Sequence, residues 1–313
     1  MPRVAVVMAT YNGVRYIEQQ LQSLLRQQHV VVHVFFRDDG STDGTLETVK
    51  RACERQPDAL RLVRDGHGPQ RSPGKNFLLG VGAVDLDSYD YLALSDQDDV
   101  WLPNKLETAV QRLTETGADG YSSDLAVWDG GHKVTYLEKG GRQTEYDYLF
   151  QTASAGCTYV LTRRAARAVQ ERVAPLISRL DQLTAHDLIV YAVVRSGGMR
   201  WVHDDRPLIL YRQHGGNTYG AGNVLTRLRG KLRLIRNDWY GTIVQDAVLA
   251  ARVEESFVAD MFSKNLGARL CSLGALGKTR REPAARVLLA LLIVSGVMRR
   301  RRAPTTLPSG AWR

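Results

Sequence analysis

Three aspartates crowd into four positions, Asp96, Asp98 and Asp99, directly after the apolar run YLALS at residues 91–95. Their carboxylates repel one another, so this crowding is costly without a counter-charge. Side chains two positions apart on an extended strand point the same way, which lets Asp96 and Asp98 face one ligand. Such oxygen ligands favour Mg²⁺ or Mn²⁺, which are commonly held by carboxylates together with substrate phosphates. The alternative interpretation is a solvated loop in which one aspartate caps the next helix.

Strands and helices alternate along the first hundred residues, and these elements must position the aspartate cluster. Apolar runs predict strands at 3–9, 30–36, 60–65 and 89–95, and helical spacing predicts helices at 14–28, 45–53 and 77–84. This alternation indicates an α/β fold with a doubly wound, mostly parallel sheet. Ligands bind such sheets beyond the carboxyl ends of the strands. The polar segments TYNG, DDGSTDG and SDQDD all lie at those ends, so the sequence predicts a ligand site there.

Beyond about residue 120 the pattern is looser. Residues 156–173 predict a strand and a helix, 186–198 a helix ended by glycine, and 199–217 two short strands. We therefore expect one domain over residues 1–222, with halves at about 1–105 and 106–222. A basic helical region over 223–313 would follow it.

The composition and the motifs of the chain argue against several classes of protein. The three cysteines, Cys53, Cys157 and Cys271, are too few and too widely spaced for a disulfide framework or a zinc site, which favours a reducing cytosol. The first apolar run is too short for a signal peptide. Neither GxGxxG after the first strand nor GxxxxGK[ST] occurs, which disfavours a dinucleotide fold and a P-loop.

The positive charge is concentrated in the last third of the chain. From Asn223 onward there are 17 basic and 6 acidic residues, a net charge of +11, whereas residues 1–222 carry a net charge of −2. The 12-residue apolar run 287–298 is shorter than the roughly 20 residues that a spanning helix needs, and four arginines follow it at 299–302. This pattern predicts a helix lying on an anionic membrane surface. The alternative is a core-packing helix with a solvated charge run. No aromatic platform supports nucleic-acid binding.

Six segments occur along the chain in this order: VVMATYNG, RDDGSTDGT, LSDQDDVWLPNKLE, AGCTYVL, the pair His186–Asp187, and YRQHGGN. Together they closely resemble glycosyltransferase family 2, with its GT-A fold, and most of all its bacterial rhamnosyltransferase-like members. The resemblance covers roughly residues 3–220. The Gln-x-x-Arg-Trp motif of processive members is missing, which implies transfer of a single sugar.

The resemblance implies a donor site in the first half of the chain. The nucleotide would contact Tyr11 through ring stacking and Asp39 through the N3–H of the base, while Asp98 would hold the metal that bridges the diphosphate. His214 would be a further ligand of the metal or diphosphate. The implied donor-site residues are Thr10, Tyr11, Asp39, Arg71, Lys75, Asn76, Asp96 and Asp98. Many members have Arg where this chain has Lys75. Without a nucleotide, Tyr11 would be a half-buried aromatic, and Arg71 and Lys75 would be solvated loop charges.

The resemblance also implies an acceptor site in the second half. Asp187 matches the carboxylate that accepts the proton of the acceptor hydroxyl, and the alternative role for it is a helix N-terminal aspartate stabilised by the helix dipole. The residues that would border the sugar or the acceptor are Trp101, Gly156, Cys157, His186 and Arg212.

The sequence therefore predicts an inverting, metal-dependent glycosyltransferase of bacterial cell-surface polysaccharide biosynthesis. It would move one sugar from a nucleotide-diphosphate donor, with dTDP-L-rhamnose favoured, to a hydroxyl of a glycan or polyprenyl-linked acceptor. Mn²⁺ or Mg²⁺ would be the cofactor. The enzyme would be cytoplasmic and peripheral on the inner face of the membrane. Three alternatives remain: a donor such as UDP-galactose or UDP-glucose, a sugar nucleotidyltransferase, and an inactive nucleotide-sugar-binding protein.

Overall fold

The computed structural model describes residues 1–177, 185–213 and 238–298. Its strands are β1 (Arg3–Thr10), β2 (Val31–Asp38), β3 (Leu60–Leu62), β4 (Tyr91–Ser95), β5 (Val100–Trp101), β6 (Gly120–Ser123), β7 (Leu125–Trp128), β8 (Val134–Leu137), β9 (Val160–Thr162), β10 (Trp201–Asp204) and β11 (Ile209–Arg212). Its α-helices are α1 (Ile17–Leu25), α2 (Thr45–Arg55), α3 (Pro73–Gly82), α4 (Lys105–Thr116), α5 (Arg163–Val173), α6 (His186–Ser196), α7 (Trp239–Ala251), α8 (Ser256–Met261), α9 (Leu266–Ser272) and α10 (Pro283–Ser295).

The main sheet has seven strands in the order β10-β6-β9-β4-β1-β2-β3. Strand β1 lies between β2 and β4 and is parallel to both, whereas β9 runs antiparallel to its neighbours β4 and β6. The predicted α/β fold with a mostly parallel sheet is thus confirmed. Because β1, β2 and β4 end at the same edge, the three polar segments that follow them converge there.

Alternate side chains of β1 point to opposite faces of the sheet and belong to two separate core clusters. Val4, Val6 and Met8 pack on the side of α1 and α4, while Ala5 and Val7 pack on the side of α3 and α6. All five side chains are fully buried, as expected for a central strand covered by helices on both faces.

Helix α3 begins four residues before the predicted start. The hydroxyl of Ser72 accepts a hydrogen bond from the Lys75 N–H at 3.4 Å, and Pro73 occupies the first turn. A serine cap followed by proline is a common helix start, because proline lacks the N–H that would be unpaired there.

A second sheet of four strands, in the order β5-β11-β7-β8, was not predicted. It pairs the two-residue strand β5, just after the aspartate cluster, with β11. This pairing brings Arg212 at the end of β11 to the aspartates.

The C-terminal helices pack on the catalytic part of the chain. Val244 and Ala247 of α7 lie in the same core cluster as α6, and Arg281 is bonded to the buried Asp147 at 2.7 Å. The expected boundary near residue 222 lies outside the described residues and stays a prediction.

Helix α10 has one buried side and one exposed apolar side, and its place on a membrane stays a prediction. Leu289 and Ile293 are buried, whereas Val287, Leu288 and Leu291 on the other side are more than half exposed. Within the described ranges, no helix has the length and apolar character needed to cross a bilayer. The arginines at 299–302 lie outside those ranges.

Candidate active site

The aspartate loop after β4 is held by Arg212. The backbone N–H of Arg212 donates to Asp99 Oδ1 at 3.1 Å, and its Nε donates to the Asp98 carbonyl at 2.8 Å. The guanidinium also lies 4.3 Å from the ring centre of Trp128 and 5.0 Å from that of Tyr16. Arg212 is buried and engaged with protein groups, so it positions the aspartate loop, and its predicted place beside the sugar stays a prediction.

The crowding of the carboxyl groups has the expected electrostatic effect. Burial, followed by the charges of Asp98 and Asp187, raises the pKa of Asp96 to about 7. Burial and the two neighbouring aspartates raise the pKa of Asp99 well above its usual range. Asp99 Oδ2 is buried and has no hydrogen-bond partner in the described part of the chain. A divalent cation would relieve this repulsion and supply the missing partner, so these carboxylates fit Mg²⁺ or Mn²⁺.

Cys157 contributes a thiol to this cluster. Potential ligand atoms of Asp96, Asp99 and Cys157 lie within 4.8 Å of one another. Burial and the adjacent carboxylates raise the pKa of the thiol well above its usual range. Cys157 therefore lies with Asp96 and Asp99 in a group of side chains that could hold a cation.

Trp101 lies in the core and is only 2% exposed, and its predicted place in the sugar pocket stays a prediction. Lys105 at the start of α4 places its Nζ 3.6 Å from the Trp101 ring centre. Burial lowers the pKa of Lys105 to about 7. This buried lysine was not predicted, because Trp101 lies in strand β5 and its contact with Lys105 depends on the turn between β5 and α4.

The loops after β1 and β4 are joined by Gln97. Its side-chain amide accepts from the Tyr11 N–H at 3.0 Å and donates to the Tyr11 carbonyl at 2.8 Å. A Cβ on Gly13 would lie 2.2 Å from Gln97 Oε1, so the hydrogen bonds between Gln97 and Tyr11 require glycine at this position. The Tyr11 side chain is 56% exposed and can offer its ring to a ligand. Gln97 was not singled out from the sequence, because its role depends on two loops meeting.

The loop after β2 is rigid. Asp38 accepts from the Thr10 hydroxyl at 2.9 Å and from the Ser41 N–H at 2.8 Å. Asp39 is buried and accepts from the backbone N–H groups of Gln70 and Ser72. Thr10 and Asp38 thereby support the loop that carries Asp39.

The predicted pair Lys75 and Asn76 divides into two roles. Asn76 is buried, its Oδ1 accepts from Arg37 Nη1 at 2.6 Å, and its Nδ2 donates to the Arg37 carbonyl at 3.0 Å. Its amide is thus occupied in tying α3 to β2. Lys75 is half-buried at the start of α3, and Arg71 is exposed in a left-handed turn with φ 53°.

Asp187 lies in the first turn of α6. Its Oδ1 accepts from the Leu188 N–H at 2.9 Å. Burial raises the pKa of Asp187 to about 6, although two backbone hydrogen bonds and the charge of Lys139 act in the opposite direction. The charge of Asp187 in turn contributes to the raised pKa of Asp96.

His186 packs beside Asp187. Its ring stacks on Phe77 with centroids 4.0 Å apart, and burial lowers its pKa to about 3, so the ring is neutral. A Cβ on Gly156 would lie 2.5 Å from His186 Nε2 and 3.3 Å from Asp187 Cβ. Only glycine leaves room for this approach. His214, the predicted further ligand, lies outside the described residues.

An aspartate loop at the carboxyl edge of a mostly parallel sheet, with polar loops beside it and a buried carboxyl group at Asp187, is the arrangement expected of a nucleotide-sugar glycosyltransferase. Residues 5–165 match the family model described as glycosyl transferase family 2. Over 93% of its length the chain is 31% identical to the dTDP-rhamnosyl transferase RfbG of Shigella flexneri, all of which is covered. The chain belongs to glycosyltransferase family 2, and the resemblance seen in its motifs is confirmed.

Other known proteins agree with this assignment. A glucosyltransferase of Escherichia coli, WfgD, is named for UDP-Glc and a GlcNAc-diphosphoundecaprenol acceptor. It is 22% identical over 51% of this chain and 60% of its own. The fold resembles TarS of S. aureus in complex with UDP-GlcNAc, with a TM-score of 0.54, 15% identity and coverage of 94% and 88% of the two chains. It also resembles the Pyrobaculum calidifontis mannosyltransferase PcManGT in complex with GDP-Man and Mn²⁺. That match has a TM-score of 0.50, 19% identity and coverage of 95% and 84%.

Proposed function

We propose that this glycosyltransferase inverts the configuration of one transferred sugar and uses dTDP-L-rhamnose as its donor. The observation that carries the proposal is the 31% identity, over nearly the whole chain, to a dTDP-rhamnosyl transferase, together with a buried carboxyl group at Asp187 whose charge acts on Asp96 of the aspartate loop.

Asp187 is the proposed general base. An inverting transfer needs a carboxylate on the face opposite the departing diphosphate, to accept the proton of the acceptor hydroxyl. With a pKa of about 6, Asp187 is ionised at neutral pH and still basic enough to accept that proton. A base of this kind contributes about 10²–10⁴-fold to the rate.

Asp98 and Asp96 are the proposed carboxylates for the divalent cation and the donor. Arg212 fixes the backbone of their loop, and Gln97 fixes that loop against Tyr11. When bound, Mg²⁺ or Mn²⁺ supplies Lewis-acid stabilisation of the charge on the departing nucleoside diphosphate. Tyr11 and Asp39 would receive the base, and Lys75 and Arg71 the phosphates.

The proposed acceptor is a glycan or a polyprenyl-diphosphate-linked glycan in cell-surface polysaccharide synthesis. A relative named for a diphosphoundecaprenol acceptor supports this class. Such an acceptor resides in a membrane, which agrees with the exposed apolar side of α10 and the basic C-terminal third. We therefore propose that the enzyme acts on the inner face of the cytoplasmic membrane.

The test is a panel of donors scored by thermal shift with Mn²⁺ present. We expect dTDP-L-rhamnose to raise the midpoint more than UDP-glucose, UDP-galactose or UDP-GlcNAc, because a ligand stabilises in proportion to RT ln(1 + [L]/Kd). Asp98→Ala should abolish turnover and the donor-dependent shift. Glu115→Gln on the exposed face of α4 is the matched control. Full turnover after chelation of all divalent ions would refute the metal requirement, and a preference for a UDP-sugar would refute the rhamnose donor.

A further inference from the structure

The buried face of α1 carries polar side chains at positions where a core helix normally has apolar ones. Gln20 and Ser23 lie on that face together with Ile17 and Leu24, and all four side chains are buried. The side chain of Gln20 is completely excluded from solvent. A buried amide is stable only where its donor and its acceptor both have partners. The partners of Gln20 therefore show which part of the chain this amide holds in place.

The donor of the Gln20 amide reaches the start of the aspartate loop, residues 96–99 between β4 and β5. Gln20 Nε2 donates to Ser95 Oγ at 2.8 Å. Ser95 is the last residue of β4 and is also fully buried, and its hydroxyl donates to the Asp96 carbonyl at 2.9 Å. The amide thus contacts the first residue of the loop through a single hydroxyl group.

The acceptor of the same amide reaches the far end of the loop. Ser23 Oγ shares its proton between Gln20 Oε1 at 2.9 Å and the Gln20 carbonyl at 2.7 Å. The same oxygen accepts from the backbone N–H of Trp101 in β5 at 3.1 Å. Both ends of the aspartate loop are therefore connected to one buried amide.

The hydrogen bonds between the two ends form a series with one direction. The Trp101 N–H donates to Ser23, and Ser23 donates to Gln20. Gln20 donates to Ser95, and Ser95 donates to the Asp96 carbonyl. Bonds in such a series polarise and strengthen one another. The Gln20 amide consequently fixes the separation of β4 and β5 at the loop.

Helix α1 also supports the middle of the loop. Arg212 Nε donates to the Asp98 carbonyl at 2.8 Å, and its Nη2 donates to Gln19 Oε1 at 2.5 Å. Gln19 and Gln20 are adjacent in α1. The backbone of Asp98 is thus connected to α1 through Arg212, and the two ends of its loop are connected to α1 through Gln20.

We propose that Gln20 is a positioning residue for the divalent cation, because it fixes both ends of the aspartate loop and thereby the place of the Asp98 carboxylate. The inference rests on the proposed function, since that function assigns the cation to Asp98. Mg²⁺ demands a near-ideal arrangement of its oxygen ligands, so a small displacement of the loop weakens binding. Groups that support metal ligands without touching the metal typically change its affinity about 10–100-fold.

The experiment is a titration of the full chain with Mn²⁺ alone, in which free Mn²⁺ is measured by its electron paramagnetic resonance signal. Asp98→Ala gives the reference for loss of the site. We expect Gln20→Met, which keeps the size of the side chain but removes its hydrogen bonds, to weaken Mn²⁺ binding about tenfold. Ser95→Ala should weaken it by a similar factor. The double variant should lose no more than the weaker-binding single variant, because both act through one series of bonds.

A second buried amide next to α1 supplies the matched control. Gln27 Nε2 donates to the Leu102 carbonyl at 2.8 Å, and its Oε1 accepts from the Leu106 N–H at 2.9 Å. These bonds hold the start of α4, beyond β5. Gln27→Met should therefore lower the free energy of unfolding in urea about as much as Gln20→Met does, and should leave the affinity for Mn²⁺ unchanged.

Native affinity for Mn²⁺ in either Gln20→Met or Ser95→Ala would overturn the role of Gln20. An equal loss of affinity in Gln27→Met would do the same, since the effect would then be one of stability, as would losses that multiply in the double variant. A native chain that binds Mn²⁺ no better than Asp98→Ala refutes the proposed cation site and this inference together. The donor is tested separately, by adding dTDP to the native chain with Mn²⁺. Failure to bind dTDP would refute the proposed donor and leave the role of Gln20 standing.

Discussion

At Asp187, burial and a nearby cation act in opposite directions on one carboxyl group, and burial dominates. The base works only when ionised, so kcat/KM should fall as the pH drops through about 6 and level off above about 7. Asp187→Asn should lower turnover by about 10²-fold or more and leave donor binding nearly intact. Paired pH–rate profiles and calorimetry with the donor nucleotide check both points. A native profile that is flat between pH 5 and 8 would contradict this assignment, as would near-normal turnover of the variant.

Individual residues also show how far the sequence could predict the site. The aspartate cluster stands out because three carboxyl groups follow a buried strand, whereas Asp187 was identified only through the resemblance to the family. Gln97 was not predicted, since an amide in a polar loop carries no signal until the fold shows what it contacts. Trp101 and Arg212 were assigned to the sugar through the same resemblance; in the structure both are buried, and Arg212 bonds to the aspartate loop.

Among the elements, α6 is held by a buried ion pair between Asp147 and Arg281, and Arg281 comes from the C-terminal part of the chain. Asp147 is fully buried and accepts from Arg281 Nε at 2.7 Å, Arg195 Nη1 at 3.2 Å and the Tyr191 hydroxyl at 3.0 Å. Removing one partner of a buried pair costs about 3–5 kcal/mol, and the two remaining donors favour the lower end. We expect Arg281→Met to lower the free energy of unfolding by about 3 kcal/mol in urea.

A matched exposed pair serves as the control for that measurement. Arg164 is 70% exposed and lies 3.6 Å from Asp119, so Arg164→Met should cost less than about 1 kcal/mol. Equal losses for the two variants would mean that the Arg281 contact does not hold α6 in place. A truncation that removes Arg281 should likewise destabilise the chain, because the C-terminal helices share the core of α6.

The elements themselves were predictable in proportion to their burial. Strands β1, β2 and β4 stand out because most of their five to eight residues are apolar. The second sheet was missed, since β5 has two residues and all four side chains of β8 are exposed. Strands so short or so exposed have no periodic hydrophobic pattern to reveal them.

At the scale of the whole molecule, charge and apolar surface meet at the C-terminal helices. Leu266 and Leu270 of α9 and Leu288 and Leu291 of α10 are all about half exposed or more. The two helices pack against each other. The part of the chain from Asn223 onward has a net charge of +11. A basic, apolar surface of this kind suits the interface of an anionic membrane, where buried side chains add to the attraction of the charges.

The predicted membrane binding can therefore be tested at individual side chains. We expect the full-length protein to co-sediment with anionic liposomes and less with neutral ones, because each basic residue near an anionic surface contributes about 1 kcal/mol. The double variant Leu288→Ser, Leu291→Ser should reduce binding at least tenfold, since each leucine moved out of water contributes about 1.5–3 kcal/mol. Its matched control is Val134→Ser, Leu137→Ser, an exposed apolar pair on β8.

Binding of the native chain should also weaken as salt screens the charges. The surface is misassigned if both double variants bind alike, and charge has no part in docking if high salt releases none of the native protein.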